Sequence, residues 1–215
     1  MAELLVIRHG QASFGAENYD VLSDLGRAQA RAAGDWLRQM GWTPDRVLTG
    51  TLQRQRDTAT EMGFPTEETH AGFNEYDFGA LLDKRFPDGL PHDVAADRRV
   101  HFQTLRETVF DWQDDKIPDP YETWAAFEAR TQAAMDHATD TDARRVLVVS
   151  SGGVIGQLVA ATLGAPKRQM MLLNLQIKNS AMTRFVFSKG RASLTEFNAT
   201  PHFATPEGAA LMSYS

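Results

Sequence analysis

The sequence predicts an α/β fold: a three-layer sandwich with a mostly parallel sheet, helices on both faces and an inserted helical lid. Three observations predict it. Short apolar runs alternate with segments whose apolar residues recur every three or four positions. The uncharged stretch 146–165 is long enough to suggest a membrane span. It breaks at Ser150-Ser151-Gly152-Gly153 into strand, turn and helix. The chain has 215 residues, 42% hydrophobic, and no cysteine. That length can bury a sizeable core without disulfides or metal staples. Residues 1–215 read as a single domain, with a lid insertion at roughly 76–121.

The elements follow in order. Leu4-Leu5-Val6-Ile7 is a continuous apolar run, as in a strand covered on both faces. Arg8-His9-Gly10-Gln11 leaves it as a loop. Ser23 is a good N-cap for a helix whose face reads Leu25, Ala28, Ala32, Trp36 and Met40. Gly41 stops that helix, and Arg46-Val47-Leu48-Thr49 forms a second strand. Gly50-Thr51 opens a helix running to Met62, and Gly63 with Pro65 ends it. Residues 64–121 contain Pro65, Pro87, Pro91, Pro118 and Pro120 and little strand pattern. One helix stands out there, with Phe102, Leu105, Val109 and Trp112 on one face. A further helix spans about 122–138, with Trp124, Phe127, Thr131 and Ala134 aligned. Val146–Ser150 is a strand and Gly153–Leu163 a helix. Strands 181–187 and 192–197 are joined by the Lys189-Gly190 turn.

Composition narrows the functions. The net charge is -6 and the pI about 5.5. That opposes a nucleic-acid surface, which needs a clustered positive field. Met1-Ala2-Glu3 carries no basic leader, and Leu4–Ile7 is too short for a signal core, so the reading places the chain in the cytoplasm. The histidines lack metal-binding spacing, so no metal site is expected. There is no phosphate-loop or dinucleotide-binding glycine motif, so no cofactor is expected either.

Three strand ends bring polar residues to one edge of such a sheet, where ligands bind. The first brings Arg8, His9 and Gly10; the second Thr49, Thr51 and, one turn on, Arg54; the third Ser150, Ser151, Gly152 and Gly153. Arginine forks and helix N-termini together suit a phosphate. A neutral imidazole among them can attack phosphorus. What is then missing is a proton donor for the leaving oxygen. Each residue also has a plainer reading. A histidine after a strand can be a structural hydrogen-bonder. Arg54 has Arg56 and Asp57 beside it, as on a solvated helix face. Glu75 shares a loop with Asp77, as surface carboxylates do.

The ordered motifs resemble the histidine phosphatase superfamily, in its phosphoglycerate-mutase-like branch. They are Leu4 to Gln11, Leu22 to Ala30, Thr51-Leu52-Gln53-Arg54 through Thr58-Ala59, Phe73 to Gly79, Val146 to Ile155, and Asn179-Ser180. The resemblance implies that His9 becomes phosphohistidine, that Arg8 and Arg54 hold the phosphoryl oxygens, and that Glu75 protonates the leaving oxygen and then activates water. Gly10, Ser151 and Gly152 would complete the phosphate-binding ring. It also implies a metal-free reaction and a substrate lid after Glu75. One position departs from the pattern. The family turn reads S-H-G-G, and its histidine is the second catalytic imidazole; here that position is Ser151. A serine carries no charge, and losing one such donor costs about 3 kcal/mol, roughly a hundredfold in rate.

The expected activity is therefore metal-independent phosphomonoester hydrolysis through a phosphohistidine on His9, weakened at Ser151. Phosphoryl transfer of the mutase type and a catalytically inactive phospholigand-binding module are the alternatives. The expected partner is a small phosphorylated substrate or a phosphorylated protein, with no nucleic acid and no membrane. Trp42, Trp112 and Trp124 mark either the core or an oligomer interface. Residues 206–215 form either a cover or a loose tail.

Overall fold

The structure is a computed structural model that describes residues 2–13, 20–90, 98–188 and 190–214. Six strands form one sheet: β1 (Ala2–Arg8), β2 (Arg46–Thr49), β3 (Glu68–Thr69), β4 (Arg145–Ser150), β5 (Met182–Ser188) and β6 (Arg191–Ala199). Their order is β3-β2-β4-β1-β5-β6. The pairs among β1 to β4 are parallel. Strand β5 runs antiparallel to both its neighbours, β1 and β6. A short turn after β5 can join only antiparallel strands, so the hairpin makes the sheet mixed. Lys189, half of that predicted turn, lies outside the described residues.

The apolar strand runs serve two cores. Side chains alternate along a strand. Leu5, Ile7, Leu147 and Val149 therefore face one side of the sheet, and Leu4, Val6, Val146 and Val148 the other. The first side is covered by α1 (Asp24–Gln39) and α2 (Gln53–Glu61). The second is covered by α5 (Trp124–Thr139), α6 (Gly152–Thr162) and α7 (Gln169–Asn174). The middle segment supplies α3 (Phe78–Arg85) and α4 (Arg98–Gln113). Its Leu81, Val109 and Trp112 join the second core. This is the layered arrangement expected. Trp42, Trp112 and Trp124 are all buried, which assigns them to the core.

Several details differ from the sequence reading. The inward face of α1 is Gly26, Gln29, Ala30, Ala33, Gly34 and Leu37, rotated from the predicted apolar stripe; Met40 is exposed. Close backbone contact explains this. A Cβ on Gly26 would lie 2.1 Å from the Gln11 carbonyl oxygen, and one on Gly34 would lie 2.0 Å from that of Met62. Small residues mark the buried side where hydrophobicity does not. Helix α2 begins at Gln53 rather than Gly50. The Asp20 carboxylate, distant in sequence, accepts the Gln53 amide at 2.8 Å and starts the helix there. Strand β3, helices α3 and α7, and the final helix α8 (Pro206–Ala209) carry signals too short or too polar for periodicity to reveal.

The C-terminal residues are tucked in. The Gln29 amide donates to the Leu211 carbonyl at 2.7 Å and to Ser213 Oγ at 2.8 Å. Ser213 Oγ donates to Asn179 Oδ1 at 2.9 Å. Asn179 Nδ2 and the Ser180 amide both reach the His9 carbonyl, at 3.4 Å each. The tail thus packs behind the loop that follows β1.

Candidate active site

The ends of β1, β2 and β4 converge as the alternation of strands and helices predicts. Arg8 is the last residue of β1 and sits opposite Ser150 in the parallel register. The His9 amide continues the ladder by donating to the Ser150 carbonyl at 2.9 Å. Arg8, His9 and Arg54 are 7%, 4% and 8% exposed. Buried cations need compensation, and both arginines have it. Arg8 Nη1 donates to the Ile177 carbonyl oxygen. Arg54 Nη1 pairs with Asp20 Oδ1 at 2.8 Å.

The His9 ring is fixed by two bonds. Nδ1 lies 2.7 Å from the Gly10 carbonyl oxygen. A carbonyl only accepts, so Nδ1 carries the proton. Arg54 Nε donates to His9 Nε2 at 3.2 Å. An Nε–H only donates, so Nε2 carries the lone pair. Burial lowers the His9 pKa well below the ordinary 6.5, and the Arg54 and Arg8 charges lower it further. The ring is held neutral, in one tautomer, with its nucleophilic nitrogen among the arginines.

The loop can approach this closely because of paired glycines. A Cβ on Gly10 would lie 2.3 Å from the Gly26 carbonyl oxygen. The Gly10 amide donates to Thr58 Oγ1 at 3.1 Å. Thr58 Oγ1 in turn donates to the Arg54 carbonyl at 2.7 Å. Four residues along a helix return to the same face, so α2 braces the His9 loop with Thr58 while presenting Arg54.

Glu75 arrives from the other side. A short 3-10 turn, Ala71–Phe73, leads into its loop. Gly153, in the first turn of α6, donates its amide to Glu75 Oε2 at 2.9 Å. The Tyr76 amide reaches Oε1 at 3.2 Å. A Cβ on Gly153 would lie 2.3 Å from Glu75 Oε1, so the second glycine of the turn makes room for the carboxyl. Burial raises the Glu75 pKa above its ordinary 4.5, outweighing the amides and the arginines, which lower it. The loop is clamped from outside by Arg130. It donates to the Gly72 carbonyl at 3.1 Å and the Asn74 carbonyl at 2.7 Å, and pairs with Glu122.

At the β4 end, Ser151 is fully enclosed. Its Oγ accepts from Gln55 Nε2 at 2.9 Å. A Cβ on the adjacent Gly152 would lie 2.2 Å from Asn174 Oδ1 and 3.5 Å from Arg8 Cζ. His202, one of the few histidines able to fold inward, is buried against Ser180 Oγ at 2.9 Å. Burial lowers its pKa to about 4. It therefore backs the His9 loop and does not stand in for the imidazole at position 151. His92 lies outside the described residues.

Every sequence-predicted site residue thus sits in one neighbourhood. The partners Asp20, Gln55 and Arg130 were not legible, whereas Thr58 stood in a quoted motif, four residues from Arg54. Among the described residues no cluster of histidine and carboxylate side chains could hold a metal ion. None of their helices is long and apolar enough to cross a membrane. A cavity of about 320 Å³ borders Glu75, lined partly by Tyr76, Leu81, Trp112 and Tyr121.

A neutral histidine and two arginines thus gather at one edge of this α/β sheet, with the raised-pKa carboxyl of Glu75 facing them from the neighbouring loop. The chain belongs to the histidine phosphatase superfamily, branch 1, whose family model matches residues 4–200. Solved structures agree with the fold. A mutant phosphoserine phosphatase from Entamoeba histolytica, in complex with phosphoserine, is 19% identical, with a TM-score of 0.66. The match covers 94% of this chain and 99% of that one. The same enzyme with 3-phosphoglyceric acid gives 21% identity, a TM-score of 0.66 and coverage of 94% and 99%. A mycobacterial glucosyl-3-phosphoglycerate phosphatase with VO3 is 25% identical, with a TM-score of 0.65 and coverage of 93% and 100%.

Proposed function

We propose that this chain hydrolyses small phosphomonoesters through a phosphohistidine on His9. The observation that carries this reading is the His9 ring itself, whose neutral Nε2 faces the Arg54 guanidinium inside a buried cationic pocket. In the first step Nε2 forms a bond to phosphorus, and the phosphorus–oxygen ester bond breaks. The departing oxygen takes the Glu75 proton. Glu75 holds that proton more readily than an ordinary carboxyl because it is buried. In the second step a water oxygen attacks phosphorus, the nitrogen–phosphorus bond breaks, and Glu75 takes the water proton.

Arg8 and Arg54 would steady the transferring oxygens, a positional and electrostatic task. Amides at the start of α6, Gly152 first, would add donors, with Gly10 and Ser151 shaping the ring around them. Ser151 supplies no charge there, which fits a slower enzyme than one with a second imidazole. The near-complete burial of Arg8, His9 and Arg54 favours a small ester over a phosphorylated protein surface. The ligands in the named relatives, phosphoserine and 3-phosphoglyceric acid, are small phosphate monoesters. The described parts of the segment 76–121, with the cavity beside Glu75, would act as the lid that receives the organic part; residues 91–97 of that segment lie outside the described residues.

The test is hydrolysis of p-nitrophenyl phosphate with chelator present, comparing wild type with His9→Ala. Turnover should fall by more than roughly 10⁴-fold in the variant. Acid-labile label from a radioactive substrate should appear on wild type alone. Equal background from both proteins, without label, would favour the phospholigand-binding reading.

A further inference from the structure

We propose that Gln55 is a positioning residue for the proton donor Glu75, a role that rests on the phosphatase reading above. The side chain is fully buried on α2, immediately after Arg54. Its Nε2 donates to the Phe73 carbonyl at 2.9 Å and to Ser151 Oγ at 2.9 Å. A carbonyl accepts only, so the amide nitrogen must point there. Both of its hydrogens are used. The same Phe73 carbonyl accepts from Ser150 Oγ at 2.8 Å, so both of its lone pairs are used as well. Gly50 leaves space for the other end of the amide: a Cβ there would lie 2.0 Å from Gln55 Oε1.

These bonds join three segments at one point. One is α2, which carries Arg54. The second is the β4–α6 turn, whose Gly153 amide holds Glu75. The third is the loop that carries Glu75 itself, two residues beyond Phe73. Arg130 clamps the outer side of that loop through the Gly72 and Asn74 carbonyls. Gln55 clamps the inner side through the carbonyl between them. One buried amide thus ties the loop of the acid directly to the helix that carries Arg54, beside the hold that Ser150, Gly153 and Arg130 keep on the same loop. The amide is satisfied at Nε2 alone: Oε1 is buried with no hydrogen-bond partner among the described residues, a cost that the two Nε2 bonds have to offset. An apolar residue would fill this space without tying the Glu75 loop to Arg54.

A proton donor matters in proportion to the basicity of the leaving oxygen. An alkyl phosphate needs it, whereas p-nitrophenolate leaves without a proton. kcat/KM reports steps up to the first irreversible one, departure of the leaving group. Gln55→Met keeps the bulk and removes the amide. It should lower kcat/KM for an alkyl ester such as O-phosphoserine by about tenfold or more, and for p-nitrophenyl phosphate by less than about threefold. The descending limb of its alkyl pH profile should also shift, because the Glu75 surroundings loosen. Ser151→Ala keeps the Gln55–Phe73 bond and should discriminate far less between the two esters. Equal losses on both esters, at unchanged melting temperature, would overturn the role, as would no loss on either. Gln55→Leu serves where Gln55→Met fails to fold, since it also removes the donor and leaves no buried charge or unpaired polar atom. A wild type that neither turns over either ester nor takes label on His9 would instead sink the phosphatase reading.

Discussion

The ends of β1 and β4 lie side by side in parallel register, Arg8 opposite Ser150, yet they do different work. The β1 end supplies charge and reactivity: a buried arginine and a neutral imidazole. The β4 end supplies hydroxyls and glycines. Its Gly153 amide holds Glu75, and its Ser150 and Ser151 side chains meet the Phe73–Gln55 junction. In the proposed reaction one strand end would perform the chemistry and its neighbour would frame it. The comparison also shows what replaces the imidazole that the family motif leads one to expect at position 151. In its place is a hydroxyl held by an amide from α2, a neutral pair that does not titrate.

The sharpest break in this division of labour is Glu75→Gln. It keeps the shape of the framed acid and removes its proton. Turnover of alkyl phosphates should fall by about 10²–10⁴-fold. The pH profile separates the two ends. His9 is active when neutral, and its lowered pKa puts the rising limb of kcat/KM below the ordinary 6.5. Glu75 is active when protonated, and its raised pKa puts the falling limb above the ordinary 4.5. The variant should lose the falling limb and keep the rising one. A falling limb that persists would assign the acid elsewhere.

Arg54→Lys probes the charged end next. It keeps the charge but loses the fork that meets both His9 Nε2 and Asp20. A loss of about 10²–10³ in kcat, with similar losses for alkyl and aryl esters, is expected. Selectivity for one ester would show that Arg54 acts through the acid instead.

Ser151→His carries the smallest effect and tests the framing end. The imidazole has to enter space already held by Gln55, so the variant should lose about 1–3 kcal/mol of stability and gain no turnover. Chemical denaturation and initial rates would show both. Removing the Gln55 side chain as well should relieve the crowding. A single variant with unchanged stability and faster turnover would mean that the added imidazole reaches the phosphoryl group past Gln55.

The sequence by itself determined the alternation of elements and the two-faced strands, and its motifs singled out Arg8, His9, Arg54 and Glu75 as candidates. Strand and helix periods are local, and so were legible. The family motifs bound these residues into one site before any distance was known. Contacts between distant segments were not legible. The inward face of α1 was misread because glycines, not large apolar residues, mark a close backbone approach. The start of α2 depended on Asp20, and the frame of Glu75 on Gln55 and Arg130; none of these has a local pattern that points to its partner. Tertiary structure alone decided those, because a buried amide or carboxylate is satisfied by whatever donor or acceptor the fold brings to it. It also decided protonation. Burial beside two arginines makes His9 neutral, and burial makes Glu75 a better proton holder despite the Gly153 amide and the arginines, neither of which residue type fixes on its own.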